Sequence, residues 1–290
     1  MMKCQLAAAA LGLLLFCSCG KSGRIDPDGL DFDPEFDESG YAIAYIEGNP
    51  VVIDRNYVAK TPICSFLQYS GKYIMAKPAD GSRTRLYDSK FTAVDSAVEY
   101  FSEVSDKGII WLQDADSSIV ARKLPECRDV FREPDAEVLQ VTDAGTVLLR
   151  RCGAHEVQVE NHGFMRPAYD YMIADADGVI KAPWGRYRYI DNFSYGLARF
   201  TNGAYYCRMR TGHFANDDFS DMSSYTTHKY GYIDENGQVA IPERYEMCDA
   251  FDEDGHARAD VVFGDGQPNI IIDSEGNIVG RYRATRGGLY

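Results

Sequence analysis

Two stretches near the C-terminus repeat the same order of residue types, and this repetition constrains the fold more than any other feature. Residues 229–242 read as a strand, a tight turn with Asn236-Gly237, a second strand and a terminating proline. An earlier copy runs from Tyr171 to Ala198. Repetition of this kind predicts an array of small units, none of which buries its apolar face alone. Such arrays are usually scaffolds or binding surfaces.

Tight-turn pairs continue the pattern along the chain, with spacings of 33, 36, 28, 33, 59 and 39 residues. Short β-rich runs flank them, and residues 93–105 fit a strand and a loop better than a helix. We therefore predict an all-β array of about seven antiparallel units with two-residue hairpin turns. A propeller-like ring is favoured because closure protects strand edges; an open β-solenoid is the alternative. The pairs are Glu47-Gly48, Asp80-Gly81, Asp116-Ser117, Ala144-Gly145, Asp177-Gly178, Asn236-Gly237 and Glu275-Gly276.

The later copy resembles the WG repeat of bacterial proteins. That repeat reads approximately Lys-Trp-Gly-Phe-Ile-Asp, a turn glycine, Ile-Pro, Tyr-Asp and Phe-Ser-x-Gly-Leu-Ala, and residues 229–257 follow it closely. Tyr230 replaces the signature tryptophan, and Gly231 lies where a neighbouring strand or ring needs close approach. The resemblance covers residues 171–282. It implies an architecture but no shared reaction.

The N-terminus predicts export. Residues 6–16 form an apolar stretch of eleven residues, which is shorter than the about 20 needed to span a bilayer. The following Cys17-Ser18-Cys19 resembles a bacterial lipobox, in which the signal is cleaved before a lipidated cysteine. Cys19 is the favoured lipidation site because Cys17 follows the bulky Phe16; an ordinary secretory signal is the alternative. By resemblance to lipoprotein sorting, Gly20 favours the outer membrane of a Gram-negative-type cell envelope.

Composition divides the remaining chain. Residues 1–18 are the predicted lipoprotein signal peptide, and residues 19–38 are rich in acidic residues, proline and glycine, which predicts a flexible tether. Residues 39–290 form one predicted β-repeat domain, interrupted by a polar insertion at 201–227. The formal net charge of -14 argues against nucleic acid or an anionic membrane surface as a partner.

The sequence offers only weak candidates for catalytic or metal-binding residues. Cys152, His155 and His162 form a Cys/His cluster without a known catalytic or metal spacing, and His213, His228 and His256 are scattered. The paired carboxylates are interpreted as turn residues; they are Asp175 with Asp177 and Asp252 with Asp254. We therefore assign no catalytic, cofactor-binding or metal-binding residue and expect no cofactor. The cysteines Cys64, Cys127, Cys152, Cys207 and Cys248 favour free thiols, with a single disulfide as the alternative.

The sequence is compatible with three functions. The first is a non-enzymatic, lipid-anchored scaffold that binds an envelope protein or peptide. The second is a glycan-binding surface lipoprotein, and the third is a hydrolase with carboxylates at a shared mouth. An apolar groove or a strand edge favours protein binding, exposed coplanar aromatic rings favour glycan, and three convergent carboxylates in one pocket favour hydrolysis.

Overall fold

The computed structural model describes residues 23–159, 165–202, 229–260 and 269–282. Within these ranges the chain is β-strand and loop, apart from one short 3-10 turn at Pro27–Gly29. No helix in the described part of the chain is long and apolar enough to cross a bilayer. The predicted all-β class is confirmed.

The strands form six small antiparallel sheets. The first sheet is β1 (Tyr41–Ile46) and β2 (Asn49–Asp54), and the second is β3 (Cys64–Ser70), β4 (Tyr73–Pro78), β5 (Thr84–Tyr87) and β6 (Ala93–Ala97). The third sheet is β7 (Glu99–Tyr100), β8 (Ile109–Gln113), β9 (Ile119–Lys123) and β10 (Arg128–Glu133), and the fourth is β11 (Ala136–Val141), β12 (Val147–Val159), β13 (Met165–Ala174) and β14 (Ile180–Ala182). The fifth sheet is β15 (Tyr189–Ile190), β16 (Leu197–Thr201), β17 (Tyr230–Asp234) and β18 (Val239–Tyr245), and the sixth is β19 (Met247–Cys248), β20 (His256–Asp260), β21 (Asn269–Asp273) and β22 (Ile278–Tyr282).

The sheet count differs from the predicted number of units. Six sheets are present in the described ranges, and five of them have four strands where about three were expected. The fourth sheet contains two of the predicted turn pairs, at residues 144–145 and 177–178, so counting turn pairs gives one unit too many. The chain also separates into two compact units, residues 1–93 and 94–290, where one repeat domain was predicted. The division falls inside β6.

A five-residue turn recurs through both units. The amide of residue i donates to the carbonyl of residue i+4, and the amide of residue i+3 donates back to the carbonyl of residue i. Residue i+3 always has a positive φ, as in a three-residue hairpin loop with a bulge, whereas two-residue turns were predicted. Only Glu47-Gly48, among the predicted pairs, forms a two-residue turn with both φ values positive. The turns begin at Asp37, Asp54, Asp88, Ser105, Asp114, Thr142, Asp175, Asp234, Asp252 and Asp273.

In the second unit, apolar side chains fill the space between consecutive sheets. One cluster joins the third sheet to the fourth around Trp111 and Met172, a second joins the fourth to the fifth around Tyr171 and Ile233, and a third joins the fifth to the sixth around Tyr232. Tyr232 and Ile233 therefore bury opposite faces of β17, as strand alternation requires. Four-stranded sheets that pack face to face in sequence are the blade-like units that the propeller-like prediction requires.

Gly231 allows the closest approach in this packing. A Cβ atom at this position would lie 2.4 Å from the carbonyl oxygen of Ile241 and 2.9 Å from the ring of Phe200. A methyl group has no room there without movement of β18 or of the fourth-to-fifth core. The predicted role of this glycine is confirmed.

Side chains in the hairpin loops also connect consecutive sheets. Asp177 accepts a hydrogen bond from Ser105 Oγ at 2.7 Å, and Glu235 accepts one from Thr146 Oγ1 at the same distance. The carbonyl of Gly276 accepts from Arg244 at 2.6 Å. In each case a loop between the third and fourth strands of one sheet contacts the preceding sheet, so the repeat links neighbours as well as forming hairpins.

Candidate functional site

An open groove of about 440 Å³ lies in the first unit, between β1, the segment that precedes it and Tyr69 of β3. Its volume is within the range of about 300–1,000 Å³ that is usual for ligand sites. Most of its wall comes from residues 32–45, which include part of the predicted tether.

Residues 23–38 pack against the first sheet, although the sequence predicted an extended acidic tether from residue 19 to 38. Ile25, Leu30 and Phe36 pack against the core formed by β1 and β2. The Ile25 amide donates to the carbonyl of Tyr57 at 2.8 Å. Burial of these three apolar side chains offsets the repulsion among the neighbouring carboxylates.

The segment 31–37 runs antiparallel to β1 but is hydrogen-bonded to its backbone only near the two ends. The Asp31 amide donates to the carbonyl of Tyr45 at 2.9 Å, and the Asp37 amide donates to the carbonyl of Tyr41 at 2.8 Å. From one contact to the other the segment advances six residues while β1 advances four. The two additional residues bow the segment away from the strand. The Asp31 carboxylate fixes the far end by accepting from the amides of Glu47 and Gly48.

The bowed segment leaves part of the β1 edge open. The carbonyls of Tyr41 and Tyr45 point toward the segment, so strand alternation directs the N–H and C=O of Ile43 the same way. Neither group has a hydrogen-bond partner within the described ranges. The opposite edge of the sheet, formed by β2, is paired with the chain that follows β2; the amides of Asp54 and Lys60 take part in these backbone hydrogen bonds. The groove thus combines an open strand edge with a defined floor.

Aromatic side chains surround this edge. Phe32 is 73% exposed, Tyr69 52% and Tyr45 41%, although each lies in or beside well-packed structure. Tyr41, at the base, packs against the ring of Phe91 at a centroid distance of 4.6 Å. Exposed aromatic side chains that cluster in one concavity mark binding sites more often than isolated ones do.

The charge of the groove is negative. Asp33, Glu35 and Asp37 line it, and none of the other described lining residues is a lysine or arginine. Burial, followed by the negative charge of Asp37, raises the pKa of the Tyr69 phenol. Asp37 is also the first residue of a five-residue turn, since its carboxylate accepts the Tyr41 amide at 2.9 Å. Asp33 and Glu35 are exposed and form no ion pair with any described residue. The three carboxylates do not gather within 4.8 Å of one another, so they are not the convergent cluster that would favour hydrolysis.

Most residues proposed from sequence lie elsewhere or outside the described ranges. Cys19, His162 and residues 203–228 of the insertion region are outside them, as is the side chain of His155. Cys152 is exposed on β12 and carries a free thiol. The suggested Cys/His cluster is therefore not part of the groove as described.

The paired aspartates serve turns, as predicted for Asp175. Its carboxylate accepts the amides of Asp177 and Val179, at 3.0 and 2.9 Å. Asp177 has a different role, because it pairs with Lys107 at 2.7 Å as well as with Ser105. The sequence feature that could have predicted this role is the position of Asp177 as the third residue of the turn, from which its side chain reaches the preceding sheet.

Asp252, Asp254 and His256 bring three possible metal-ligating atoms within 4.8 Å of one another. Asp252 already accepts the amides of Asp254 and His256, as in the other turns. Both aspartates are exposed. The turn geometry accounts for this grouping without a metal.

The described cysteines are free thiols. Cys64 and Cys248 are buried, and burial raises the pKa of each thiol to about 11. Cys127 and Cys152 are exposed. Burial is thus confirmed for two of the four described cysteines, and Cys207 lies outside the described ranges.

A second charged cluster is centred on Arg122 of the third sheet, and its carboxylates are paired with arginine. Arg122 is 8% exposed and contacts Asp95, Asp114 and Asp129 at 3.0, 2.9 and 2.8 Å. Arg132 also contacts Asp114 and Asp129. These carboxylates converge on arginine and not on an open cavity, so the cluster is structural.

The comparisons with known proteins agree with the repeat. A family described as WG containing repeat matches residues 230–261, which comprise β17 to β20. The match begins in the last two strands of the fifth sheet and ends in the first two of the sixth. One sequence repeat therefore joins two sheets, which explains why the repeat and the sheet are out of phase.

Solved structures share only distant similarity. BamB from Moraxella catarrhalis is 10% identical, with 88% of this chain and 74% of that chain covered and a TM-score of 0.31. The C-terminal WD40 domain of Sif2 is 8% identical, with 89% and 72% covered and a TM-score of 0.28. No curated protein matches the chain.

Proposed function

We propose that this protein is a lipid-anchored repeat protein of the cell envelope that binds another envelope protein or a peptide and catalyses no reaction. The groove beside β1 carries the proposal, because it presents an open strand edge with exposed aromatic side chains. Strand edges of this kind bind extended chains through backbone hydrogen bonds, and neighbouring pockets select the side chains.

The lipid anchor at Cys19 is the second part of the proposal. Its support is the short apolar stretch that ends in Ser18-Cys19. Cys19→Ala should release the protein from the membrane fraction or leave an uncleaved precursor, whereas Cys17→Ala should not. Normal lipid labelling of the Cys19 variant would contradict this assignment.

Photo-crosslinking in intact cells tests the binding site. A photoreactive phenylalanine at position 32 should give a discrete adduct with an envelope protein. The matched control is the same residue at Tyr195, which is 65% exposed but lies in a turn of the second unit. Equal adducts at both positions, or adducts at Tyr195 alone, would contradict binding in the groove.

Glycan binding is the second candidate, because Phe32, Tyr45 and Tyr69 offer aromatic faces in one groove. A sugar uses those faces but has no need of the Ile43 backbone groups. Loss of binding in Phe32→Ala is therefore common to both candidates. Protection of the Ile43 amide on binding is specific to a peptide.

A further inference from the structure

We propose that the groove accepts a positively charged peptide, one residue of which pairs with β1 at Ile43 while its basic side chains lie against Asp33 and Glu35. The inference rests on the proposed function and names the chemistry of its ligand. Three features of the first unit carry it: the open backbone groups, the uncompensated carboxylates and the exposed aromatic rings.

The backbone of β1 determines the conformation of the ligand. The N–H and C=O of Ile43 lie in the plane of the sheet between two closed contacts, Asp31 with Tyr45 and Asp37 with Tyr41. A single residue in the extended conformation supplies the C=O and N–H that match them. The peptide on either side of this residue leaves the plane of the sheet, because Asp31 and Asp37 occupy the positions opposite Tyr45 and Tyr41. Backbone groups without a protein partner must otherwise bind water, so exchanging water for a strand satisfies both.

The carboxylates determine the charge of the ligand. Asp33 and Glu35 are exposed at the rim, and Asp37 lies at the closed end. The described residues supply no cation to Asp33 or Glu35, in contrast to the arginine-neutralised carboxylates around Arg122. An acidic peptide would add repulsion at these positions, whereas lysine or arginine relieves it.

The aromatic side chains favour the same ligand. Phe32, Tyr45 and Tyr69 line the groove together with the carboxylates, and all three rings are exposed. The flat guanidinium of arginine stacks on such rings and still donates to a carboxylate. The chain already uses this contact elsewhere, since Arg150 lies 4.3 Å from the ring centroid of Tyr169. We therefore expect arginine to be preferred to lysine.

The test uses three synthetic octapeptides and the purified chain without its signal peptide. One peptide alternates arginine and valine, the second alternates glutamate and valine, and the third is the arginine peptide with its central amides N-methylated. Fluorescence anisotropy should show binding of the first, no binding of the second and at least tenfold weaker binding of the third, since N-methylation removes the donor to Ile43. Raising the salt concentration should weaken the arginine peptide.

A matched pair of double variants locates the charge effect. Asp33→Asn with Glu35→Gln should weaken the arginine peptide about tenfold, because two facing charges are lost. Asp28→Asn with Glu38→Gln removes the same charge from exposed positions outside the groove and should change affinity less than about twofold. Thermal unfolding of both variants checks that the fold is intact.

The outcomes separate the inference from the proposed function. Equal binding of the arginine and glutamate peptides, or equal weakening by both double variants, overturns the charge assignment. Absence of peptide binding with persistent crosslinking at position 32 overturns the inference and leaves the proposed function standing. Binding of a neutral oligosaccharide in place of any peptide overturns both in favour of glycan.

Discussion

The edge of β1 and the strand β17 show opposite ways of completing a sheet. β17 pairs with β16 on one side and β18 on the other, and its two faces are covered by the neighbouring sheets. β1 pairs fully with β2 but meets only the two ends of a bowed segment on its other side. The first arrangement has a partner strand along both edges, and the second leaves a pair of backbone groups open beside exposed aromatic rings.

This difference indicates where stability and binding lie. The residues that match the WG repeat are occupied by contacts between sheets, such as Tyr232 Oη to the carbonyl of Asp249 at 2.8 Å. The groove residues Phe32, Asp33 and Glu35 are exposed and make few contacts. We therefore expect substitutions in the repeat sheets to lower the free energy of unfolding, and substitutions in the groove to lower affinity alone.

The largest effect is expected for Arg122→Met. This change leaves Asp95 without an ion-pair partner among the described residues and leaves Asp114 and Asp129 with Arg132 alone; loss of one partner of a buried ion pair typically costs about 3–5 kcal/mol. The control is Arg150→Met, which breaks the more exposed pair with Glu137 and should cost less than about 1 kcal/mol. Urea unfolding measures both, and equal losses would contradict a special role for the Arg122 cluster.

The second prediction contrasts two glycines. Gly231→Ala places a methyl group into the contact with Ile241 and Phe200. This should lower the free energy of unfolding by an amount at the upper end of about 1–3 kcal/mol. Gly29→Ala meets no atom within 4 Å and should stay within about 0.5 kcal/mol of the wild type. If the two variants unfold at the same temperature, β17 is not packed as closely as described.

The third prediction concerns pH. Burial alone would raise the pKa of Asp114, but hydrogen bonds from Arg132, the Ala115 amide and Arg122 outweigh it and lower the value from 3.8 to about 2. The folded pKa lies below the unfolded one, so this stabilisation is present above about pH 4 and is lost as pH falls toward 2. It amounts to about 2 kcal/mol.

Acid unfolding followed by circular dichroism measures this dependence. Asp114→Asn should flatten the loss of stability between pH 4 and pH 2, while Asp33→Asn, in the groove, should leave it unchanged. An unaltered slope in the Asp114 variant would show that its carboxylate does not contribute.

The features that the sequence predicted correctly are those that depend on residues close together in the chain. Aspartate and glycine identify most of the turns, and the crowding around Gly231 arises in β17 between the flanking strands β16 and β18. The predicted loop length was wrong. A three-residue loop needs a single positive φ, at residue i+3, whereas a two-residue turn needs two. Local patterns do not distinguish these cases.

The groove was missed because it depends on contacts between distant residues. The acidic residues near Asp33 predicted a solvated tether, yet Ile25, Leu30 and Phe36 stand among them and pack on the first sheet. The spacing of these three apolar residues was the sequence feature that could have predicted the packing. The open backbone of Ile43 arises only from the mismatch of two residues between the segment and β1, which no sequence pattern reveals.

Amide hydrogen exchange of the intact domain, with and without the alternating arginine-valine peptide, tests whether the edge of β1 is the binding site. The peptide should slow exchange of the Ile43 amide and its neighbours in β1, while exchange in β17 to β20 stays unchanged. Unchanged exchange at Ile43 under saturating peptide, or protection confined to β17 to β20, would contradict it.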